Sequence, residues 1–92
     1  MVSVMDKRSF ILGEEKKIKF RITSHNKTTV VVTEATYELY RGDEVIKRGQ
    51  CDVEKDRISL LFKPTERGFF ILEVTFKVPH ESRKCKVMID VT

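Results

Sequence analysis

The chain has 92 residues, which is enough for a single domain with one core. Val (11), Ile (7) and Thr (8) far outnumber Ala (1) and Leu (5). This balance excludes a helix bundle, because β-branched side chains are stiff in a helix and suit a pleated sheet. An apolar content of 40% is too high for a disordered tail. No apolar run approaches the roughly 20 residues that a membrane-spanning helix requires.

The first strands are predicted from the alternation of polar and apolar residues. A short strand is expected over 9–12, ended by Gly13. Residues 17–23 alternate without exception, as expected of a strand with one buried and one solvated face. The polar segment 24–27 then favours a turn. The side chains on the buried face of the second strand are Ile18, Phe20 and Ile22.

A longer extended run covers 28–40, but its alternation is not continuous. In an extended strand, Val30 and Val32 would point to the side opposite to that of the other apolar residues. Either these two valines are exposed, or a bulge near 33–34 switches the register, and both interpretations stay open. The residues expected on the buried side of this run are Val31, Ala35, Tyr37 and Leu39.

A tight hairpin turn is predicted at 41–44, where Gly42 supplies the positive φ that such turns often need. The chain returns as a weaker strand over 45–54. The residues of one parity in that strand are Val45, Gly49, Cys51 and Val53.

Three clearer strands complete the chain, at 57–63, 69–78 and 84–91. Pro64 ends the first of them because it has no N–H for a continuing ladder. A turn is expected at 79–82. The inward side chains of these strands are Ile58, Leu60, Phe62, Phe70, Leu72, Val74, Phe76, Val78, Cys85, Val87, Ile89 and Val91.

Together these elements predict an all-β fold, an antiparallel β-sandwich of about seven strands in one domain spanning 1–92. The first eight residues are expected to be either disordered or a short edge strand. The expected core consists of Phe10, Ile18, Phe20, Ile22, Val31, Tyr37, Leu39, Ile58, Leu60, Phe62, Phe70, Leu72, Val74, Phe76, Val87, Ile89 and Val91.

The segment Glu66-Arg67-Gly68-Phe69-Phe70-Ile71-Leu72 resembles the E–F corner of an immunoglobulin-like domain, usually Asp-x-Gly-x-Tyr-x-Cys. Here Phe70 replaces the tyrosine and Leu72 the cysteine, and the chain has no Trp. Bacterial and bacteriophage immunoglobulin-like modules dispense with these features, and the hairpin at 35–49 is similar to one found in them. The resemblance covers about 16–92. It implies a non-catalytic immunoglobulin-like module of a phage or prophage virion, in a tail, baseplate or capsid accessory protein.

The start of the chain shows no basic segment, apolar stretch or cleavage site of a secretory signal. Cys51 and Cys85 are expected to be free thiols, because two cysteines do not make a disulfide framework. These features predict synthesis in the cytoplasm without a signal peptide, with the virion as the destination if the phage interpretation holds.

Catalytic, cofactor-binding and metal-binding residues are not predicted. The serines lack a Gly-x-Ser-x-Gly setting, and there is no glycine-rich phosphate loop. Cys85 and His80 suggest a cysteine–histidine pair. However, Cys85 falls on the inward side of its strand, and a thiol in apolar surroundings is inert. His25 falls in a loop predicted at the same end as His80, and whether the two approach each other stays open. Arg41-Gly42-Asp43 spells a tripeptide that integrins recognise, but these are also ordinary hairpin residues.

Two outward faces are candidate binding surfaces. An exposed apolar patch on one sheet predicts contact with protein partners, including other copies of the chain. A basic face on the other sheet is the alternative, a polyanion or nucleic-acid site, although nucleic acid is not favoured because acids and bases are interleaved throughout a net charge of only +4. No membrane contact is expected. A third, weaker hypothesis is a small protein inhibitor. The patch consists of Tyr40, Ile46, Phe69, Ile71 and Met88, and the basic face of Lys17, Lys19, Arg21, Arg57 and Lys63.

Overall fold

The computed structural model describes residues 6–22 and 31–92, which form two packed β-sheets. The strands are β1 (Asp6–Phe10), β2 (Lys16–Arg21), β3 (Glu34–Arg41), β4 (Glu44–Gln50), β5 (Asp52–Glu54), β6 (Arg57–Phe62), β7 (Gly68–Val78) and β8 (Glu81–Val91). The five-stranded sheet has the order β1-β8-β7-β3-β4, and the three-stranded sheet has the order β2-β6-β5. The predicted all-β sandwich is therefore confirmed. The turn predicted at 24–27 lies outside the described residues.

The core lies between the two sheets and is built from alternate residues of the strands. Ile58 of the small sheet and Leu72 of the large sheet are both 0% exposed. The rings of Phe10 and Phe62 come from opposite sheets and meet edge to face, with their centroids 5.1 Å apart. The buried cluster comprises Phe10, Ile18, Val32, Ala35, Leu39, Ile58, Leu60, Phe62, Phe70, Leu72, Val74, Phe76, Val87, Ile89 and Val91. Phe20, Ile22 and Tyr37, expected in the core, are only partly buried against it.

The first strand differs from the prediction in position and in direction. It covers Asp6–Phe10 rather than 9–12, and it pairs with β8 in parallel, Phe10 lying beside Val91. After β1 the chain turns through Gly13 (φ +87°) and enters the other sheet as β2. Because β1 and β2 belong to different sheets, they do not form a hairpin, and the sandwich is not wholly antiparallel.

The prediction that Val31 lies in the core is wrong. Val31 is 48% exposed, whereas Val32 is 4% exposed. The Val32 N–H donates to the Lys55 carbonyl beside the small sheet, and the Thr33 N–H donates to the Lys77 carbonyl of the large sheet. Two successive backbone amides thus bond to different sheets. This interrupts the alternation of inward and outward side chains, so that Ala35, three residues after Val32, is the next side chain to point inward. This interruption corresponds to the bulge alternative, and β3 itself begins at Glu34.

The single strand predicted over 45–54 is two strands in two sheets. β4 pairs with β3 in the large sheet, and β5 pairs with β6 in the small sheet. Cys51 lies between them, and its N–H donates to the Ala35 carbonyl at 2.9 Å. With this change of sheet, residues 6–22 and 31–92 form eight strands, against about seven predicted for the chain.

The hairpin of β7 and β8 is longer than predicted. Its turn consists of Pro79 and His80 alone, and Val78 pairs with Glu81. His80 adopts a positive φ of 77°, as the second central residue of a tight type II turn requires. The last strand therefore starts at Glu81 rather than at residue 84.

Gly49 on β4 lies directly opposite Tyr37 on β3, and the tyrosine ring occupies the space above it. A Cβ atom placed on Gly49 would lie 2.7 Å from the ring. The glycine therefore permits the close approach of the tyrosine side chain to the backbone of an edge strand.

We expect Gly49→Ala to lower the free energy of unfolding by about 1 kcal/mol, because overpacking costs of about 1–3 kcal/mol exceed the roughly 0.5–1 kcal/mol gained when a strand glycine becomes alanine. In a Tyr37→Ala background the same substitution should be neutral or stabilising. Urea unfolding of the four proteins measures both effects. An equal loss in both backgrounds would show that the ring does not cause it.

Candidate functional site

Four of the five predicted patch residues lie on the outer face of the large sheet. Met88, Ile71 and Tyr40 are register partners across β8, β7 and β3, and they form one row. The row ends at Lys7 on β1 and at Val45 on β4. The sheet thus carries a continuous band of apolar side chains across its three central strands.

Phe69 lies on β7 two residues before Ile71 and therefore on the same face. It is 64% exposed, and Ile71, Tyr40 and Met88 are half-buried. Phe69 thus extends the band toward the start of β7. We call Tyr40, Phe69, Ile71 and Met88 together the apolar row.

A second row of charged residues runs beside the apolar row on the same face. Arg48 pairs with Glu38 at 3.3 Å, and Lys86 pairs with Glu73 at 3.7 Å. Glu73 also meets Lys84 at 3.4 Å. The face therefore has an apolar row that is flanked on one side by paired charges, and apolar surface next to a polar margin is common in protein interfaces.

The placement of Ile46 on this patch is wrong. The register of β3 and β4 shifts at Leu39 and Tyr40, so that Tyr40 lies opposite Val45 and Leu39 lies opposite Lys47. Ile46 is the extra residue of this bulge, and it is 44% exposed. It lines a separate depression between β4 and the connection from β6 to β7, together with Phe62, Lys63, Pro64, Glu66 and Phe70.

Four of the five predicted basic residues share the outer face of the small sheet. Lys17, Lys19 and Arg21 alternate along β2, and Arg57 on β6 lies opposite Arg21. All four line one shallow depression. Lys63 follows the end of β6 and lines the separate depression beside Ile46.

Acidic residues interrupt this basic face. Asp52 and Glu54 on β5 lie opposite Ser59 and Arg57, and both line the same depression as the four bases. Asp56 pairs with Arg21 at 3.2 Å. The face is therefore basic along β2 and acidic along β5. The sequence did not predict this separation, because 45–54 was expected to be a single strand and the change of sheet at Cys51 places its last residues beside β6.

A basic cleft between the edges of β1 and β2 was missed at the sequence level. Every ionisable side chain that lines it is basic, and Phe10 and Ile18 lie between them. The run from Lys16 to Arg21 was a partial signal, but the position of β1 was needed to complete the cleft. The basic lining residues are Lys7, Arg8, Lys16, Lys17 and Lys19.

The Arg41-Gly42-Asp43 tripeptide is a hairpin turn in which the arginine is already engaged. Arg41 forms an ion pair with Glu66, and its guanidinium lies 5.9 Å from the centre of the Phe70 ring. Gly42 adopts φ +61°. The arginine is thus held against the body of the domain, and this placement gives no support to an adhesive role.

Within 6–22 and 31–92, no group of three or more His, Cys, Asp or Glu side chains is placed to hold a metal ion. His25 lies outside these ranges, so its approach to His80 stays untested. The same ranges hold no helix that is long and apolar enough to cross a membrane.

The two cysteines are free thiols that lie near each other and are about half-buried. Burial, followed by the proximity of Cys85 and Asp52, raises the pKa of Cys51 from 9.0 to about 11. Burial also raises the pKa of Cys85, and burial with the nearby Cys51 raises the pKa of Tyr37. At neutral pH both thiols are therefore protonated and weakly nucleophilic.

Comparison with known proteins identifies the fold and no family. The chain matches no protein-family model and no curated protein. It superposes on the crystal structure of an engineered protein with a TM-score of 0.72 at 10% identity, covering 96% of this chain and 18% of that one. It also superposes on a titin structure (the anomalous substructure of Titin-A168169) with a TM-score of 0.56 at 20% identity, covering 100% of this chain and 46% of the titin chain.

The fold is an immunoglobulin-like β-sandwich. The parallel pairing of β1 with β8 and the switch of sheet at Cys51 are thus parts of an immunoglobulin-like domain. The chain spans less than half the length of both structures, and at these identities the likeness concerns the fold alone.

We expect Cys51 to be alkylated by iodoacetamide at pH 8 at least about tenfold more slowly than the same cysteine in the urea-unfolded chain, because the thiolate is the reactive form. The rate should keep rising to about pH 11. A rate equal to that of the unfolded chain would contradict the raised pKa.

The same shift predicts how stability depends on pH. The pKa is higher in the folded chain, so the unfolded chain loses its thiol proton first. The free energy of unfolding should therefore be unaffected below about pH 9 and should fall as the pH rises toward about 11. The Cys51→Ala variant should show a shallower fall, which urea unfolding across this pH range would measure.

Proposed function

We propose that this chain is a non-catalytic immunoglobulin-like module that binds proteins through the outer face of its five-stranded sheet. The observation that carries the proposal is the apolar row, in which Met88, Ile71 and Tyr40 are direct register partners on three adjacent strands. A solvated sheet face normally alternates to polar residues at these positions. An apolar band of this kind, bordered by charges, is typical of an interaction site.

The raised pKa values of the thiols favour a binding role over a catalytic one. Cys51 and Cys85 would be the strongest nucleophiles as thiolates, and burial holds both in the protonated form.

The first partner that we propose for the apolar row is a second copy of the chain. The chain carries a net charge of +4, which opposes self-association in general. On this face, however, the carboxylates of Glu38 and Glu73 offset most of the charge of the three neighbouring bases, Arg48, Lys84 and Lys86. Two copies can therefore bring these faces together without a large repulsion between like charges.

A finer part of the proposal is that the module belongs to a phage or prophage virion, in a tail, baseplate or capsid accessory protein. Its support is the similarity of the hairpin at 35–49 to one found in phage immunoglobulin-like modules, and the E–F corner at 66–72, which lacks the tyrosine and cysteine that such modules dispense with. Virions are built from repeated subunits, which fits a module that contacts its own copies. Neighbouring genes for tail, capsid or terminase proteins would support this assignment, and a neighbourhood of unrelated metabolic genes would contradict it.

The alternative function, polyanion binding by the basic face, has less support. Lys17, Lys19 and Arg21 do share a face, but Asp52 and Glu54 line the same depression. A polyanion crossing the small sheet would meet these carboxylates, which would repel its phosphates.

We expect the protein to associate reversibly, and Ile71→Glu to raise the dissociation constant at least about tenfold, since a loss of about 1.4 kcal/mol suffices for this. Thr75→Glu is the matched control, with the same charge change on the same strand and face. It should change the constant less than about twofold. Sedimentation equilibrium measures all three proteins. A strict monomer at millimolar concentration, or equal effects of both substitutions, would refute self-association through the apolar row.

A further inference from the structure

Among residues 6–22 and 31–92, no strand pairs with the outer edge of β2, and this open edge exposes backbone hydrogen-bonding groups. The Ile22 N–H donates to the Asp56 carbonyl at 2.7 Å, which fixes the alternation of bonded pairs between β2 and β6. In an antiparallel pair of strands, a residue that hydrogen-bonds to the partner strand is followed by one whose N–H and C=O point away from that strand. The backbone groups of Lys17, Lys19 and Arg21 therefore point away from β6, and β2 is the outermost of the described strands on this side of the small sheet.

The open edge of β1 is partly occupied by neighbouring side chains. The Lys16 ammonium donates to the Ser9 carbonyl at 3.2 Å. The Ile11 N–H donates to the Glu14 carboxylate at 3.2 Å. Backbone groups that an added strand would need at this edge are thus already bonded.

The other two edge strands are also poor acceptors of a new strand. At β5 the Cys51 N–H donates to Ala35 and the Lys55 carbonyl accepts from Val32, so the chain itself covers both ends of that edge. At β4 the bulge around Ile46 interrupts the ladder. By contrast, the register of β2 with β6 is unbroken over all six residues of β2.

Charge distinguishes the β2 edge further. The three residues with outward-facing backbone groups are all basic, at positions i, i+2 and i+4. Opposite charges in directly facing positions stabilise a strand pair. The residues between them, Ile18 and Phe20, face the other side of the strand, where Ile18 and Phe10 lie in the basic cleft.

We propose that the open edge of β2 binds an extended acidic segment of a partner protein as an additional β-strand. Acidic residues of the segment would face Lys17, Lys19 and Arg21, and the alternating residues would be apolar and face the cleft. Main-chain hydrogen bonds supply affinity in this mode of recognition, and the alternating side chains supply specificity. A nucleic acid would not use the backbone amides, so the edge favours a peptide. This site lies on the other sheet from the apolar row and does not depend on self-association.

The test uses a synthetic eight-residue peptide in which Glu and Val alternate, with both ends blocked and a fluorescent label on a flexible linker. Fluorescence anisotropy measures its affinity for the full chain. A second peptide carries N-methyl groups on the Glu amides, which removes the hydrogen bonds to β2 and keeps the charge. Amide hydrogen exchange, read by NMR, reports whether the amides of Lys17, Lys19 and Arg21 become protected.

Three variants locate the site. Lys19→Pro removes an N–H that points away from β6 and that the described part of the chain does not use, and it blocks the edge, as proline does on edge strands. Lys19→Glu keeps the N–H and reverses the charge. Each should weaken binding of the Glu–Val peptide at least about tenfold. Lys63→Glu, with the same charge change at the other depression, should alter it less than about twofold. Circular dichroism and the urea midpoint establish that each variant is folded.

The expected result is binding of the Glu–Val peptide with slowed exchange at the three amides, and at least about a tenfold loss for the N-methylated peptide. Equal binding of both peptides would overturn the proposal, since it would show attraction by side chains alone. The proposal would also be overturned if an oligonucleotide bound as tightly as the peptide without slowing hydrogen exchange at the three amides. Failure of the Glu–Val peptide to bind at millimolar concentration would overturn it as well. The Ile71→Glu variant should bind the peptide normally, so that failure of this site and failure of the apolar row give different results.

Discussion

The structure depends on the contact between the inward side chains of the two sheets. Ile58 on the small sheet and Leu72, Val74 and Ile89 on the large sheet have no exposed surface. Because successive side chains of a strand point to opposite faces, the burial of one set fixes the other set as the surface. Register therefore decides which residues can contact a partner, and a shift of one position exchanges core for surface. The outward positions of Ile71 and Lys19 follow from the burial of their neighbours Leu72 and Ile18.

Where the alternation is regular, the sequence is sufficient to predict the fold. The strands β2, β6, β7 and β8 follow period two, and the inward residues expected in β6 and β7, such as Ile58 and Leu72, lie in the core or pack against it. The errors fall where a hydrogen bond to a distant strand overrides the local pattern. Val32 replaces Val31 in the core because two successive amides bond to different sheets. The switch of sheet at Cys51 and the parallel pairing of β1 are likewise set by strands far away in the chain.

The candidate surfaces were predictable to the same extent. Parity placed Tyr40, Ile71 and Met88 on one face, but only the register shows that they are direct neighbours in a row. Ile46 was misplaced because β4 has exposed residues on both faces. Its sequence therefore shows no clear alternation from which a bulge could be detected. The interaction role of the row stays a prediction. The open edge of β2 could not be found without knowing that β1 joins the other sheet.

The two proposed surfaces use different physical means of recognition. The apolar row offers side-chain area on a sheet face, so its binding energy would come from removing apolar surface from water and would change little with salt. The edge of β2 offers backbone hydrogen bonds beside three cations, so its binding would weaken as salt screens the charges. Because the surfaces lie on separate sheets, a partner on the face of the large sheet leaves the edge of the small sheet open. If both bind, a single copy joins two partners, and the second contact gains from the high effective concentration created by the first.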